Sequence, residues 1–239
     1  MKLIKNYRRR KFIQETLNWD NGNPLTNGEY FLLTTLGPSW KRCFDIGANR
    51  GEYTKMLRKV VPEAEITSFE PNPDSAKYIK TGRKTGVEVV AVGDKLGLLT
   101  INFNRNDDTQ SSTYRSNEHT KPTKVPQITI DNYLHSNQLD HIDFIKIDTE
   151  GHELAVLKGA KKALNEQTID LIQFEYGGTY KDADIYLKDI YDLISKNYII
   201  CHIMPQGVLP LAYDTSLETY RYSNWLAMSR KIYGKGWSG

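Results

Sequence analysis

Residues 41–54 read KRCFDIGANRGEYT, and this stretch decides the fold. Its apolar core, Cys43 to Ile46, is short, contains aromatic and β-branched residues, and ends at a glycine, which predicts a buried strand. Gly47 and Gly51 then bracket a tight turn, and a helical pattern begins at Glu52. A strand that leads into a helix through glycines leaves free backbone N–H groups at the helix start, where a ligand can approach closely.

An acidic residue at the end of this strand indicates the kind of ligand that the turn holds. The spacing from Asp45 is D-x-G-x-x-x-G, without the G-x-G-x-x-G pattern of a dinucleotide site. A carboxylate there would repel a pyrophosphate but attracts an ammonium group. S-adenosylmethionine (SAM) carries an ammonium, a sulfonium and a carboxylate, and the free helix N–H groups can take its carboxylate. The stretch therefore indicates SAM, with an ordinary strand–turn–helix and a solvated Asp45 as the alternative.

The composition is that of one ordinary α/β domain. The 239 residues are 39% apolar and 11% aromatic, enough to bury a full core. No apolar run predicts a membrane-spanning helix, and the first residues do not have the pattern of a secretory signal. Cys43 and Cys201 fall in predicted buried strands and are expected to be reduced core residues, which favours a cytoplasmic protein. The net charge of +3 is too small to indicate nucleic-acid binding.

Apolar periodicity predicts the elements around the turn. Strands are expected at 43–46, 65–69, 87–92, 98–103, 142–147, 169–175, 198–204 and 220–228. Helices are expected at 53–61, 74–85, 128–134 and 185–195. A further single helix is expected to carry Leu154, Leu157, Ala160 and Leu164 on one face.

Three segments are expected along the chain. Residues 1–39 are predicted to form a basic N-terminal helix and a lead-in, residues 40–230 the main domain, and residues 231–239 a tail. The helix has a basic patch made of Lys2, Lys5, Arg8, Arg9, Arg10 and Lys11. This patch predicts either contact with an anionic surface or a lipid-linked substrate, or the solvated face of a capping helix, which we favour. Within the domain, 104–126 is polar and is expected to be a substrate-side loop.

Acidic side chains are predicted at the ends of four strands. Because ligands collect at the carboxyl ends of strands in open α/β sheets, Asp45, Glu70, Asp94 and Asp148 are expected to surround one crevice. Glu70 lies about twenty residues after Gly47, the spacing of a carboxylate that binds ribose hydroxyls. Asp94 is expected near the base of a bound nucleoside.

The order of the motifs resembles one family. DIGANRGEYT, FEPNP, AVGD, IKIDTEGHELAVLKGA and IQFEYG occur as they do in the FkbM family of SAM-dependent methyltransferases, over roughly residues 40–230. The resemblance implies a Rossmann-like class I methyltransferase fold, an α/β fold with a seven-stranded, mostly parallel sheet, helices on both faces and an antiparallel last strand. It also implies SAM as the cofactor and a hydroxyl oxygen as the methyl acceptor, with sugars, glycolipids and macrolides among the acceptors.

The resemblance assigns cofactor-binding roles residue by residue. The amino acid part of SAM would be held by Asp45, Gly47, Asn49 and Gly51. The remaining cofactor residues would be Glu70 at the ribose hydroxyls, Asn72 close by, and Asp94 near adenine.

A general base is expected near the acceptor, because a sugar hydroxyl is a weak nucleophile. Asp148 is the first choice, followed by Glu175 and His152. His152 has a suitable ordinary pKa but can equally be a solvated residue of the first helical turn. Lys146 lies on a buried strand, so it requires Asp148 or Glu175 as a partner or it orients the acceptor. Asp148 with Glu175 can alternatively hold a divalent cation, although no tight ligand cluster in the sequence supports a metal site.

The sequence therefore predicts a SAM-dependent O-methyltransferase that acts on a hydroxyl of a sugar or glycan-type acceptor. Alternatives are O-methylation of a small-molecule natural product and 2'-O-methylation of RNA ribose, which would use the basic helix and depend steeply on salt. A non-catalytic SAM- or glycan-binding module would keep the crevice without turnover. A nicotinamide dehydrogenase is disfavoured because G-x-G-x-x-G is absent.

Overall fold

Two β-sheets with flanking helices make up the fold in the computed structural model, which describes residues 16–104 and 120–233. The strands are β1 (Arg42–Ile46), β2 (Glu65–Phe69), β3 (Thr85–Glu88), β4 (Ala91–Val92), β5 (Gly97–Asn104), β6 (Thr120–Ile128), β7 (Ile142–Ile147), β8 (Ile169–Tyr176), β9 (Tyr198–Met204), β10 (Gly207–Pro210) and β11 (Ser223–Ser229). The α-helices are α1 (Glu29–Leu36), α2 (Glu52–Val60), α3 (Pro73–Ala76), α4 (Ile130–Ser136), α5 (Glu153–Lys158), α6 (Lys161–Glu166), α7 (Gly178–Asp182), α8 (Leu187–Ile194) and α9 (Arg230–Tyr233).

The larger sheet has the strand order β10-β9-β11-β8-β7-β1-β2-β3. Neighbours from β3 to β8 are parallel, and β11 is antiparallel to both β8 and β9. The seven strands from β3 to β9 are therefore six parallel strands and one antiparallel strand, the last in the chain. This confirms the prediction of a Rossmann-like class I methyltransferase fold. The eighth strand, β10, was not predicted and forms a hairpin with β9 at the edge.

Alternating side chains of the central strands enter two apolar cores, one on each face of the sheet. Phe44 packs in the core that contains α5, α6 and α8, whereas its neighbour Cys43 packs in the core that contains α1 and α2. Cys43 and Cys201 are both buried and free, as predicted. Among residues 16–104 and 120–233, no helix has the length and apolar character needed to span a membrane.

The predictions for residues 74–92 were partly wrong. The helix expected at 74–85 ends at Ala76, because the following stretch turns back through Gly82 to form an isolated bridge with Thr85. The strand expected at 87–92 is split between the two sheets. β3 ends at Glu88, and β4 pairs with β6 in a second, three-stranded sheet.

The loop expected at 104–126 is also partly corrected. Residues 105–119 lie outside the described residues, as do residues 1–15 with the basic patch and the tail from residue 234. From Thr120 the chain is strand β6, which pairs with β5. Pro122 and Pro126 lie in this strand, although proline cannot donate a ladder hydrogen bond. They are tolerated because β4 pairs only with the last two residues of β6, Gln127 and Ile128, so β6 is an edge strand before them.

The single helix expected over residues 154–164 is two helices, α5 and α6, which meet at Gly159. A Cβ atom on Gly159 would lie 1.9 Å from the carbonyl oxygen of Gly93. The chain therefore needs glycine here to let the end of α5 approach the loop after β4. The same loop also lies against His152, because a Cβ atom on Gly93 would lie 2.8 Å from His152 Nε2.

We expect His202 to make the fold less stable in mild acid. Its ring is fully buried between Trp19 and Trp225, with ring centroids 5.0 and 4.9 Å away. Burial lowers the pKa of His202 to about 4, so the unfolded chain binds its proton first as the pH falls. The free energy of unfolding should therefore fall by about 2 kcal/mol between roughly pH 7.5 and pH 5 from this group alone.

Urea unfolding at these two pH values tests the role of His202. A His202→Phe variant keeps an aromatic ring between the two tryptophans and should lose this part of the pH dependence. The same dependence in both proteins would show that other groups cause it.

Candidate active site

A cleft of about 290 Å³ opens at the carboxyl ends of β1, β2 and β7, with β4 and β5 along its other side. Its polar lining includes Asn49, Glu70, Asp148, Thr149, Glu150 and His152. Its apolar lining includes Phe69, Val92 and Ile101. The structure thus brings together ends of strands that lie up to a hundred residues apart, as expected for a parallel sheet.

The turn after β1 packs directly on the loop after β7. Asp148 N–H donates to the carbonyl oxygen of Ile46 at 2.9 Å. Gly47 has φ +82°, and a Cβ atom there would lie 1.8 Å from the backbone oxygen of Asp148. Only glycine combines this backbone conformation with such a close approach. The glycine turn predicted from the sequence therefore forms one wall of the cleft.

Glu70 joins the turn after β1 to the loop after β2 at one wall of the cleft. One carboxylate oxygen accepts the N–H of Asn49 and the other accepts the N–H of Asn72, both at 2.8 Å. The Asn72 side chain accepts the N–H of Asp74 and caps α3. Glu70 is only 7% exposed, yet it lines the cleft. It is thereby placed to bind hydroxyl groups, which stays a prediction.

Four predicted cofactor residues are not among those that line the cleft: Asp45, Gly51, Asn72 and Asp94. Asp45 is 1% exposed and accepts a hydrogen bond from the Thr54 hydroxyl at 2.5 Å. Burial raises the pKa of Asp45 to about 6, although the Thr54 bond and the Lys146 charge act in the opposite direction. Asp45 thus supports the turn from below, and direct contact with the SAM ammonium stays a prediction.

His152 lines the cleft next to the Gly93–Asp94 turn. A Cβ atom on Gly93 would lie 2.8 Å from the Nε2 atom of His152. The Gln127 side-chain amide donates to the Asp94 carboxylate at 3.4 Å. Burial lowers the pKa of His152, with Asp94 acting in the opposite direction. His152 lines the cleft with a lowered pKa, and its role as a general base stays a prediction.

Lys146 and Asp148 form an ion pair at the end of β7. Their Nζ and Oδ2 atoms are 3.0 Å apart, with the Lys146 side chain 3% exposed and the Asp148 side chain 36% exposed. Burial alone would lower the pKa of Lys146, but Asp148, Glu29 and Glu175 outweigh it and the pKa is raised. Burial, followed by repulsion from Asp148, raises the pKa of Glu175 well above its ordinary range. Asp148 lines the cleft, whereas Glu175 is not among its lining residues.

Sequence reasoning missed a buried polar network behind this ion pair. Glu29 accepts hydrogen bonds from the side-chain amides of Gln173 and Asn224 at 2.8 and 2.9 Å. Gln173 in turn accepts the Tyr53 hydroxyl at 2.7 Å. The available signal was an amide among the apolar residues of each of two strands, IDLIQFEY and SNWLAMS. A buried amide requires hydrogen-bond partners.

Within the described part of the chain, one group of three side chains is close enough to share a metal ion. It consists of His141, Asp143 and Asp170, at the amino ends of β7 and β8 and thus at the sheet edge opposite the cleft. Asp148 and Glu175 do not belong to such a group there. The alternative of a cation held by Asp148 and Glu175 gains no support from this arrangement.

The strand order and the cleft at its carboxyl ends define a class I methyltransferase fold. Residues 45–200, more than half of the chain, match the family model described as "Methyltransferase FkbM domain". The chain belongs to this family, as its motifs predicted. Its domain is a SAM-dependent methyltransferase domain, and S-adenosyl-L-methionine is the cofactor.

Two curated proteins are similar in sequence. Over 149 residues the chain is 26% identical to the hexuronic acid methyltransferase AglP of Haloferax volcanii, and the match covers 61% of each protein. Over 188 residues it is 24% identical to the 2-O-methyltransferase NoeI of Sinorhizobium fredii, covering 69% of this chain and 74% of that protein. The chain thus spans about three fifths of the length of the first relative.

Solved structures of methyltransferases are similar at low identity. The plantazolicin methyltransferase BpumL in complex with a monoazolic desmethylPZN analog and SAH is 14% identical, with a TM-score of 0.47 over 96% of this chain and 90% of that chain. The N-terminal domain of EvdMO1 in the presence of SAH and D-fucose is 11% identical, with a TM-score of 0.47 over 96% and 98%. The fold assignment rests on the strand order and the family match, and not on these structural similarities.

Proposed function

We propose that this protein is an O-methyltransferase that transfers the methyl group of SAM to a hydroxyl of a sugar or glycan-type acceptor. One observation carries the proposal: the Asp148 carboxylate reaches the cofactor cleft while a buried lysine holds it from behind. The relatives support the acceptor class, since one is named for hexuronic acid and the other for 2-O-methylation.

The cleft residues fit SAM in charge and hydrogen bonding. Asn49 lines the cleft, and its Oδ1 atom is buried without a hydrogen-bond partner among the described residues. A buried acceptor in this position suits a donor such as the SAM ammonium. Glu70 would hold the ribose hydroxyls, and His152 and Asp94 would lie at the adenine. When bound, SAM supplies an electrophilic methyl group next to Asp148.

The side chains at the end of β7 then position and activate the acceptor. Asp148 accepts the hydroxyl proton as the acceptor oxygen forms its bond to the methyl carbon and the carbon–sulfur bond breaks. Lys146 fixes the orientation of the Asp148 carboxylate through the 3.0 Å contact. Most of the rate should come from placing the oxygen in line with the methyl group.

Asp148→Asn should lower kcat by about 10²- to 10⁴-fold, the usual contribution of a general base. Binding of S-adenosylhomocysteine (SAH), the product of SAM, should stay within a few-fold because the amide keeps the shape of the side chain. The measurement is transfer of labelled methyl groups from SAM to a panel of hexuronic acids, neutral sugars and glycolipid head groups, with calorimetry of SAH binding.

Asp140→Asn provides the matched control, because this aspartate is exposed just before the amino end of β7. Asp140→Asn should leave both kcat and the affinity for SAH unchanged. Full activity of Asp148→Asn would overturn the base assignment. A wild-type protein that binds SAH but methylates no sugar would overturn the acceptor class.

A further inference from the structure

A single buried carboxylate, Glu29 at the start of α1, connects to both tyrosines that flank Lys146. One branch runs from Glu29 Oε2 through the Gln173 amide to the hydroxyl of Tyr53, whose ring lies 5.4 Å from Lys146 Nζ. The other branch runs from Glu29 Oε1 to the Asn224 amide, which also donates to the Tyr222 hydroxyl at 3.1 Å. The N-terminal lead-in is thereby tied to the end of β7.

The network is arranged to hold a negative charge on Glu29. The carboxylate is 5% exposed and also accepts the side-chain amide of Asn27 at 2.7 Å. An ionised carboxylate is a pure acceptor, and amide N–H groups are the donors that it needs. Because a buried charge requires a partner of opposite sign, the buried Lys146 ammonium is its natural counterpart.

The proposed reaction creates a charge problem at Lys146. Once Asp148 has taken up the acceptor proton, the ion pair becomes a buried cation beside a neutral acid, which is costly in a low-dielectric interior. Among the described residues, six titratable groups face Lys146. They are Glu29 on α1, Asp45 on β1, Tyr53 on α2, Asp148 just after β7, Glu175 on β8 and Tyr222 just before β11. Burial favours the neutral forms of Asp45, Glu175 and both tyrosines, since it raises the pKa of each.

We propose that Glu29 is a positioning residue, which balances the charge of Lys146 when Asp148 is protonated during methyl transfer. This inference rests on the proposed function for the proton step, but its structural basis does not. Glu29, Tyr222 and Asn224 all lie outside residues 45–200, which match the family model. These three members of the hydrogen-bond network therefore come from the segments before and after the matched region.

Urea unfolding of the full chain tests the charge balance without an acceptor. Asp148→Asn imitates the protonated base, so Glu29 becomes the remaining counter-charge of Lys146. In this background Glu29→Gln should lower the folding equilibrium constant by roughly tenfold more than it does in the wild type, as for directly coupled residues. Equal losses in the two backgrounds would overturn the proposal.

Gln173→Leu is the matched control, because it removes a member of the network without changing any charge. Its effect should be the same with Asp148 or Asn at position 148. Non-additivity of similar size for Gln173→Leu would attribute the coupling to packing and also overturn the charge role.

The pH dependence supplies a readout that a merely structural role would not move. In the double variant Glu29→Gln/Asp148→Asn, Lys146 should have a pKa in the folded state below its unfolded value. The free energy of unfolding of this variant should therefore rise with pH towards about 10. The wild type should lack this rise, because its Lys146 pKa is raised. If the double variant does not fold, the variant Glu29→Gln/Lys146→Met should be more stable than Glu29→Gln alone. No gain in stability from Lys146→Met would overturn the proposal. SAH calorimetry and methyl transfer report separately on the proposed function.

Discussion

Gly47→Ala is expected to abolish SAH binding and to destabilise the protein by about 3 kcal/mol or more, the range of severe backbone and packing conflicts. The new Cβ atom would lie 1.8 Å from the Asp148 carbonyl oxygen and 2.7 Å from its carbon. Both are backbone atoms, so the conflict is relieved only if the turn after β1 and the loop after β7 separate. The φ angle of +82° adds strain of its own. Separation would open the cleft between the two strand ends.

Calorimetric titration with SAH and urea unfolding together measure the effect of Gly47→Ala. Gly82→Ala is the control, since a Cβ atom at this position would have no neighbouring atom within 4 Å and the φ angle lies outside the left-handed region. It should bind SAH like the wild type. Wild-type affinity in Gly47→Ala would show that the cleft does not depend on close packing of the two loops.

Glu70→Ala is expected to weaken SAH binding by on the order of 100-fold or more. The substitution removes the acceptor for the N–H groups of Asn49 and Asn72, so both loops lose their fixed position. It also removes the carboxylate that would accept the ribose hydroxyls. Hydrogen bonds to a charged group contribute roughly 1.5–3 kcal/mol each, so two of them account for this loss.

Two further variants separate the contributions of Glu70. Glu70→Gln keeps the side-chain shape and one acceptor oxygen, and it should fall between wild type and Glu70→Ala in SAH affinity. Glu65→Ala changes an exposed glutamate at the opposite end of the same strand and should leave the affinity unchanged. Undiminished binding by a well-folded Glu70→Ala protein would show that the ribose lies elsewhere.

Local patterns were sufficient wherever a residue's role depends on its neighbours in sequence. The apolar run that ends at Gly47 predicted β1 and its turn, and the strand before Glu70 was placed within the same bounds, Glu65–Phe69. The antiparallel last strand followed from the family resemblance and is confirmed by the pairing of β11 with β8 and β9. Each of these features is encoded in a short window of the chain.

Predictions failed where a distant contact overrides the local pattern. Periodicity favoured one helix through Gly159, but the approach of the Gly93 carbonyl ends α5 there. The polar composition of residues 104–126 favoured a loop, yet pairing with β5 makes the part from Thr120 onward a strand. His152 stays a candidate base, and only the fold shows that it is buried beside Asp94.

The sequence by itself determined the family, the cofactor, the class of the main sheet and the acidic strand ends, because these depend on local apolar periodicity and on glycine and carboxylate spacing. Only the tertiary structure decided which carboxylates reach the cleft. It buries Asp45 beneath the turn and exposes part of Asp148. It alone joined Glu29 to Gln173 and Asn224, which follow it by 144 and 195 residues. A hydrogen bond over such a separation leaves no periodic trace in the chain, because it forms only when packing brings α1 onto the end of the sheet.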